Sequence, residues 1–161
     1  MNLIKWNEIY HNNQKLDKVF YDKYQSDSKI YEKNVIEFLV ELGEFVNETK
    51  VFKYWTIKKA DKNKVLEEYA DTITMCLTFM REFQISEIKD SYEHENTKDI
   101  ICLIDYLYVL IANLYDKPFD IQRIFGNLLY LGELLKLDED EVIKAINKKH
   151  KIIKNRLESD Y

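Results

Sequence analysis

The sequence predicts an all-α protein, a multi-helix bundle of about six helices that forms one domain over residues 1–161. Apolar residues recur at three- and four-residue spacing through almost the whole chain, which is the period of amphipathic helices. Only three glycines and one proline occur in 161 residues, whereas strand-rich folds need both residues at their many turns. The length and a hydrophobic fraction of 46% suit a single sizeable core.

The first half of the chain supplies three predicted helices and one long loop. The first helix is expected over about 3–24. Asp and Ser residues at 26–28 offer N-caps for the second helix, expected over 29–48. The pattern then breaks in a basic, aromatic stretch, 49–63, which predicts a loop. Apolar periodicity resumes over 64–83, the third helix.

The second half supplies three more helices after a charged linker at 87–98. Pro118 suits the first turn of the fifth helix, because a helix leaves the first backbone N–H groups unpaired. Asp138 and Glu141 have the spacing of a capping box at the start of the sixth helix. These helices are expected over about 99–115, 118–135 and 138–157.

Composition excludes several classes of function. A net charge of −5 argues against a nucleic-acid partner, since backbone binding needs a basic surface. Gly43, Gly126 and Gly132 are too scattered to form a glycine-rich phosphate loop. Cys76 and Cys102 lie in apolar segments and are expected to be buried free thiols. No signal-peptide core and no apolar run of about 18 residues occur, so we expect a cytoplasmic protein without a membrane partner.

Four glutamates form one stripe on the second predicted helix. Glu37, Glu41, Glu44 and Glu48 fall within about 60° on a helical wheel, away from the apolar face. Like charges at this spacing destabilise a helix by a few tenths of a kcal/mol per pair. An ordinary exposed face would interleave Lys or Arg, and none occurs between the first and last of these glutamates.

The third predicted helix carries a second acidic pair, Glu68 and Asp71, at the edge of its apolar face. Antiparallel packing of the two helices would bring this pair opposite Glu41 and Glu44. Four converging carboxylates cannot all stay ionised without a cation, and Mg²⁺ or Mn²⁺ prefers such oxygen ligands. A solvated acidic edge is the alternative that the spacing leaves open, and the spacing names no substrate.

Three motifs resemble a known family. ELGEFVNE (41–48), FKYW (52–55) and LEEYAD (66–71) are similar to motifs of the dimeric all-α dUTPases. That family belongs to the all-α NTP pyrophosphohydrolase superfamily, whose signature is ExxE, a spacer, then ExxD; the spacer here is 23 residues. The similarity is clearest over 35–85. It implies a homodimeric enzyme that hydrolyses dUTP, and also dUDP, to dUMP with Mg²⁺.

The resemblance also assigns roles to residues. Glu41, Glu44, Glu68 and Asp71 would hold the metal ions. Glu41 would in addition take a proton from the attacking water, and Glu48 would join the metal site or orient a ligand water. Contacts to the deoxyuridine nucleotide are implied for eight residues: Gln14, Asp17, Asn47, Lys53, Trp55, Lys149, Arg156 and Tyr161.

Each of these substrate contacts has a structural alternative. Gln14, whose amide would read the uracil edge, could be a surface residue. Lys53 and Trp55, expected at the phosphates and against the base, could anchor the loop. Arg156 could complement the helix dipole. The tail KKHKIIKNRLESDY matches the family pattern except that Ile153 stands where an asparagine is expected.

Two other functions remain open at this level. One keeps the chemistry and changes the base, with dCTP or another nucleotide as the substrate. The other is a non-catalytic helical dimer that serves as a scaffold. The fourth and fifth predicted helices are apolar over more than one stripe, which indicates either a dimer interface or central core helices.

Overall fold

The computed structural model describes residues 1–24 and 27–159, and within these the chain forms α-helices and no strand. The predicted all-α bundle is therefore confirmed, with six α-helices as expected. The helices are α1 (Leu3–Tyr24), α2 (Ile30–Thr49), α3 (Lys62–Glu82), α4 (Ile100–Ala112), α5 (Ile121–Leu134) and α6 (Glu139–Glu158).

Local hydrogen bonds set the ends of several helices. Asp138 caps α6 as predicted, since its side chain accepts the backbone N–H of Glu141 at 3.0 Å. The predicted N-cap of α2 is wrong, because the N-cap position is Lys29, which makes no side-chain cap hydrogen bond. Asp27 accepts the backbone N–H of Lys29 at 2.9 Å in the turn before the helix. Ser26 lies outside the described residues.

Two predicted boundaries in the second half differ from the structure. α4 ends at Ala112 instead of near residue 115, with Asn113 as its C-cap. The side chain of Asn113 turns back and donates to the carbonyl of Val109 at 2.7 Å. Pro118 begins a separate 3₁₀ turn, Pro118–Asp120, that precedes α5. It is therefore not in the first turn of α5 itself.

α2 and α3 form an antiparallel pair. The rings of Phe38 and Phe79 stack near one end of the pair, with centroids 5.8 Å apart. Phe45 and Tyr69 meet near the other end, with centroids 5.0 Å apart. Residues 50–61 join the two helices. This pairing places the acidic positions of both helices at the same level of the bundle.

The remaining helices pack around this pair. α6 lies against α3 and α1, α4 lies against α2 and α5, and α5 also contacts α3. The start of α1 is attached to α6 by a hydrogen bond from the indole of Trp6 to Glu139 at 2.9 Å. α1, α2, α3 and α6 thereby surround one cavity that is described below.

The two apolar helices of the second half are not equivalent. α5 buries Phe125, Leu128 and Leu131 completely, as a central core helix does. α4 buries one side and leaves Ile101 and Val109 about half exposed. No described helix is long and apolar enough to span a membrane.

The prediction for the cysteines is right at one position and wrong at the other. Cys76 is buried in α3 and Cys102 is exposed. Cys102 lies in the first turn of α4, where its backbone N–H donates to the capping side chain of Asp99 at 3.3 Å. An apolar segment did not reveal which side of that turn faces solvent.

Candidate metal and nucleotide site

Three carboxylates from α2 and α3 converge on one point. Glu41 and Glu44 of α2 and Glu68 of α3 each offer an oxygen atom, and these oxygens lie within 4.8 Å of one another. We call this group the carboxylate cluster. Glu41 and Glu68 are half-buried, and Glu44 is exposed. The antiparallel pairing of α2 and α3 thus brings together three of the four predicted metal ligands.

The fourth predicted ligand, Asp71, lies one helical turn beyond Glu68 and is buried. Its Oδ2 accepts a hydrogen bond from Lys149 Nζ of α6 at 2.5 Å. Its Oδ1 is buried without a hydrogen-bond partner, and so is Oε2 of Glu41. Buried carboxylate oxygens are costly unless they are paired or bind a metal ion. An all-oxygen donor set with two such atoms fits a hard divalent cation.

The acidic groups resist ionisation. Burial, followed by the nearby charge of Asp71, raises the pKa of Glu41 to about 7. Burial also raises the pKa of Glu68 and of Asp71, and the hydrogen bond from Lys149 partly offsets the shift at Asp71. A cation that binds here therefore competes with protons near neutral pH.

A residue that the sequence reasoning missed connects the two helices at this level. Thr72, directly after Asp71, is fully buried. Its hydroxyl lies 2.9 Å from the carbonyl oxygen of Glu68 and 3.1 Å from that of Glu41. The only sequence signal is a polar side chain next to the core face of α3.

A cavity of about 450 Å³ opens beside the carboxylate cluster, between α1, α2, α3 and α6. Asp71 marks its acid end, together with Glu41 and Lys149. Thr78 marks the opposite end, about 10 Å further along α3 at the usual helical rise. Apolar and aromatic side chains supply most of the wall between them: Leu16, Phe20, Tyr21, Tyr24, Met75, Ile153 and Leu157.

At the end opposite the acid end, which we call the polar end, three side chains form a hydrogen-bonded group. Asp17 accepts from Thr78 Oγ1 through Oδ1 and from Asn13 Nδ2 through Oδ2, both at 3.0 Å. Arg81 Nε lies 3.6 Å from the same carboxylate. Burial nevertheless raises the pKa of Asp17 to about 6. His150 contacts Asn13 Oδ1 at 2.9 Å, and burial lowers the pKa of this histidine to about 4.

Most of the predicted substrate contacts on α1 and α6 line the cavity, and one of them does not. Asp17, Lys149 and Arg156 line the cavity, and so does Ile153, which stands at the position of the family's asparagine. Gln14 does not line the cavity; its neighbour Asn13 does. One residue corresponds to about 100° around a helix, so a motif match that is uncertain by one position cannot decide between them. Tyr161 lies outside the described residues.

The predicted contacts at the end of α2 form a group of their own. Lys53 Nζ donates to Asn47 Oδ1 at 2.7 Å, and Asn47 Nδ2 donates to Glu48 Oε1 at 3.3 Å. Trp55 is 64% exposed and contacts Phe52 edge to face. None of these residues lines the cavity, and Glu48 is not part of the carboxylate cluster.

A comparison with protein-family models matches residues 5–161 to a model described as dUTPase. The chain belongs to the dUTPase family. The match extends far beyond the segment in which the motifs are clear, and it confirms the predicted family, the nucleotide substrate and the activity, dUTP hydrolysis by a dUTP diphosphatase. Enzymes of this family generally use a divalent metal ion. A search of curated proteins finds no significant match.

Proposed function

We propose that this dUTPase is a Mg²⁺ enzyme, able also to use Mn²⁺, whose ions are held by Glu41, Glu44, Glu68 and Asp71. The observation that carries this proposal is the convergence of three carboxylates within 4.8 Å beside two buried, unpartnered carboxylate oxygens. When bound, the ion supplies neutralisation of the polyphosphate and activation of a water molecule. The carboxylates supply a rigid set of oxygen atoms on two packed helices.

Glu41 is the residue best suited to accept a proton in the reaction. Its buried Oε2 has no hydrogen-bond partner within the protein, so this oxygen can accept a proton from a water molecule at the acid end. Lys149 supplies a positive charge at the same end of the cavity, where it is expected to contact a phosphate once the nucleotide is bound. Glu48, held by the amide of Asn47, is proposed to orient the water molecules around the cation.

The nucleotide is proposed to lie along the cavity with its phosphates at the acid end and its base at the polar end. The separation of about 10 Å between Asp71 and Thr78 along α3 suits this orientation. Both N–H groups of the Asn13 amide donate within the protein, to Asp17 and Thr78, whereas the carboxylate of Asp17 has further lone pairs that can accept from a pyrimidine edge. Arg156 lines the same cavity. Contacts from four further residues remain proposals: Gln14, Lys53, Trp55 and Tyr161.

A homodimer is proposed as the working form, within a single domain that spans the chain. α2 and α4 pack against each other. Ile36 and Val40 of α2 and Ile101 and Val109 of α4 are all about half exposed or more. Exposed apolar residues on neighbouring helices are typical of an interaction surface. Light scattering on the eluting protein would give twice the chain mass, and a monomer would contradict this part of the proposal.

The proposed activity is tested by release of pyrophosphate from dUTP, and of phosphate from dUDP, with and without Mg²⁺. Both products are expected only when the metal is present. A panel with dCTP and dTTP checks the base, and equal turnover of dCTP would contradict the proposed preference for uracil. Turnover of dUTP that is unaffected by a metal chelator would contradict the metal site.

A further inference from the structure

One buried hydroxyl connects the two helices that carry the carboxylate cluster. Thr72 Oγ1 lies 2.9 Å from the carbonyl oxygen of Glu68, in its own helix, and 3.1 Å from that of Glu41 in α2. The hydroxyl carries one proton, so the two carbonyl oxygens share it in a three-centre hydrogen bond. Both α2 and α3 lie wholly in the part of the chain that the structure describes, and the branch to Glu41 is the one hydrogen bond that joins them. The two carbonyls belong to residues whose carboxylates are both in the cluster.

The hydroxyl is not needed to satisfy these carbonyls. Each lies inside a helix and accepts the backbone N–H four residues later, and a carbonyl oxygen has a second lone pair for the hydroxyl. A bond from threonine to its own helix is common. The contact across to Glu41 is different, because it fixes how far α2 is displaced along α3. A slide by one turn, about 5.4 Å, would separate the carboxylates of Glu41 and Glu68.

We infer that Thr72 is a positioning residue that sets the register of α2 on α3 and thereby the spacing of the Glu41 and Glu68 carboxylates for a divalent cation. This inference rests on the proposed metal site. Apolar packing, such as the Phe38–Phe79 pair, holds the helices together. The hydrogen bond adds a distance and a direction at one point, at the level of the carboxylate cluster.

α3 offers a matched control. Thr74 is also buried, and its hydroxyl donates to the carbonyl of Ala70 at 2.8 Å, within its own helix. Thr74→Val therefore removes a buried hydroxyl from the same helix without removing a bond to α2. Because Thr74 lines the cavity, the comparison is made on Mn²⁺ affinity in the absence of nucleotide.

The experiment measures Mn²⁺ affinity of the full chain by titration, and thermal unfolding without metal, for the wild type and three variants. Thr72→Val is expected to bind Mn²⁺ roughly tenfold more weakly, the usual cost of losing a group that supports metal ligands. Thr72→Ser keeps the hydroxyl and is expected to bind as the wild type does. Thr74→Val is expected to lose thermal stability to a similar degree as Thr72→Val, with unchanged affinity.

Several results would overturn the inference. One is a Thr72→Val variant that binds Mn²⁺ as tightly as the wild type does. The others are a Thr74→Val or a Thr72→Ser variant that loses as much Mn²⁺ affinity as Thr72→Val does. Thr72→Ala takes the place of the valine variant if the latter does not fold. A wild-type chain that binds no Mn²⁺ would overturn the proposed metal site together with this inference, whereas normal wild-type binding with an unaffected Thr72→Val overturns this inference alone.

Discussion

The two ends of the cavity bury carboxylates in different ways. At the polar end, both oxygens of Asp17 accept hydrogen bonds from neighbouring side chains. At the acid end, Glu41 and Asp71 each bury an oxygen without a hydrogen-bond partner. Burial raises the pKa of all three groups. The chain itself therefore satisfies the Asp17 carboxylate, although Arg81 Nε and His150 Nδ1 beside it are buried without a hydrogen-bond partner. The buried oxygens at the acid end are satisfied only by a proton or a cation from outside.

This difference separates structural from catalytic roles. A carboxylate whose hydrogen bonds are supplied by the fold orients its neighbours and contributes to stability. A carboxylate with an unpartnered oxygen keeps a coordination position that a ligand can use. Changes at the acid end should therefore alter turnover, and changes at the polar end should alter stability and nucleotide affinity.

The largest effect is expected at the acid end. Glu41→Gln and Asp71→Asn should each lower pyrophosphate release from dUTP by at least about 100-fold, the scale of removing one group that stabilises charge in a transition state. Glu41→Gln should not lower the thermal stability of the metal-free protein, because it removes a carboxylate that is buried at a cost. Asp71→Asn should lower it, because Lys149 then loses the carboxylate with which it is paired. Steady-state kinetics and thermal unfolding measure the two effects.

Glu67→Gln is the matched control for these variants. Glu67 is an exposed neighbour of Glu68 on α3 and is not part of the carboxylate cluster. Its replacement should leave turnover close to the wild-type value. If Glu41→Gln turns over dUTP at the wild-type rate, or if Glu67→Gln loses as much turnover as Glu41→Gln, the carboxylates of the acid end are not required for the reaction.

The buried carboxylate at the polar end should make the free energy of unfolding depend on pH. The pKa of Asp17 is about 6 in the folded protein and near 3.9 in an unfolded chain, so the folded state binds more protons between these values. Asp17 should therefore lower the free energy of unfolding as pH rises through this window, by up to about 3 kcal/mol. His150 acts in the opposite direction over nearly the same window, because its pKa falls from 6.5 to about 4 on folding. Urea unfolding of the wild type and of Asp17→Asn from pH 4 to pH 8 isolates the Asp17 part as the difference between the two curves.

Mn²⁺ distinguishes the two ends in the same experiment. The pKa of Glu41, raised to about 7, adds a fall in stability that extends to higher pH. A bound cation replaces the proton on Glu41. Saturating Mn²⁺ should therefore abolish the contribution of Glu41 to the pH dependence of the free energy of unfolding, and it should leave the contribution of Asp17 unchanged. If the free energy of unfolding depends on pH in the same way in the wild type and in Asp17→Asn, the pH window near 4–6 does not belong to Asp17.

A smaller effect is expected on nucleotide affinity. Asp17→Ala should raise KM for dUTP roughly tenfold and lower kcat much less, because hydrogen bonds at the base are made in both the ground state and the transition state. Asp17→Asn keeps a hydrogen-bond acceptor and adds a donor, so its KM should lie between those of the wild type and Asp17→Ala. A fall in kcat with unchanged KM would place Asp17 at the chemistry instead of at the base.

The sequence predicted the helices and the acidic positions because both depend on local periodicity. The 3.6-residue period defines α2 and α3, and the wheel positions of Glu41, Glu44 and Glu68 follow from it. The antiparallel pairing then needed only that the loop between the two helices reverse the chain direction. The apolar period alone did not show where α4 ends, because apolar residues continue past its C-cap, Asn113, to Leu114 and Tyr115.

The rest of the site depends on contacts between distant parts of the chain. Asn13 and His150 are hydrogen-bonded although 137 positions separate them. The contact between Thr72 and Glu41 spans 31 positions. No spacing rule within one helix indicates such pairs, so the polar end and the role of Thr72 became visible only with the packing of the helices.

The central claim is that the divalent cation is held by the carboxylate cluster at the acid end. Anomalous scattering from crystals grown with Mn²⁺ tests it most directly. We expect anomalous density between the carboxylates of Glu41, Glu44 and Glu68, and its loss in Glu41→Gln crystals. Well-occupied Mn²⁺ elsewhere on the protein, with none between these three carboxylates, would show that the cation is not held there.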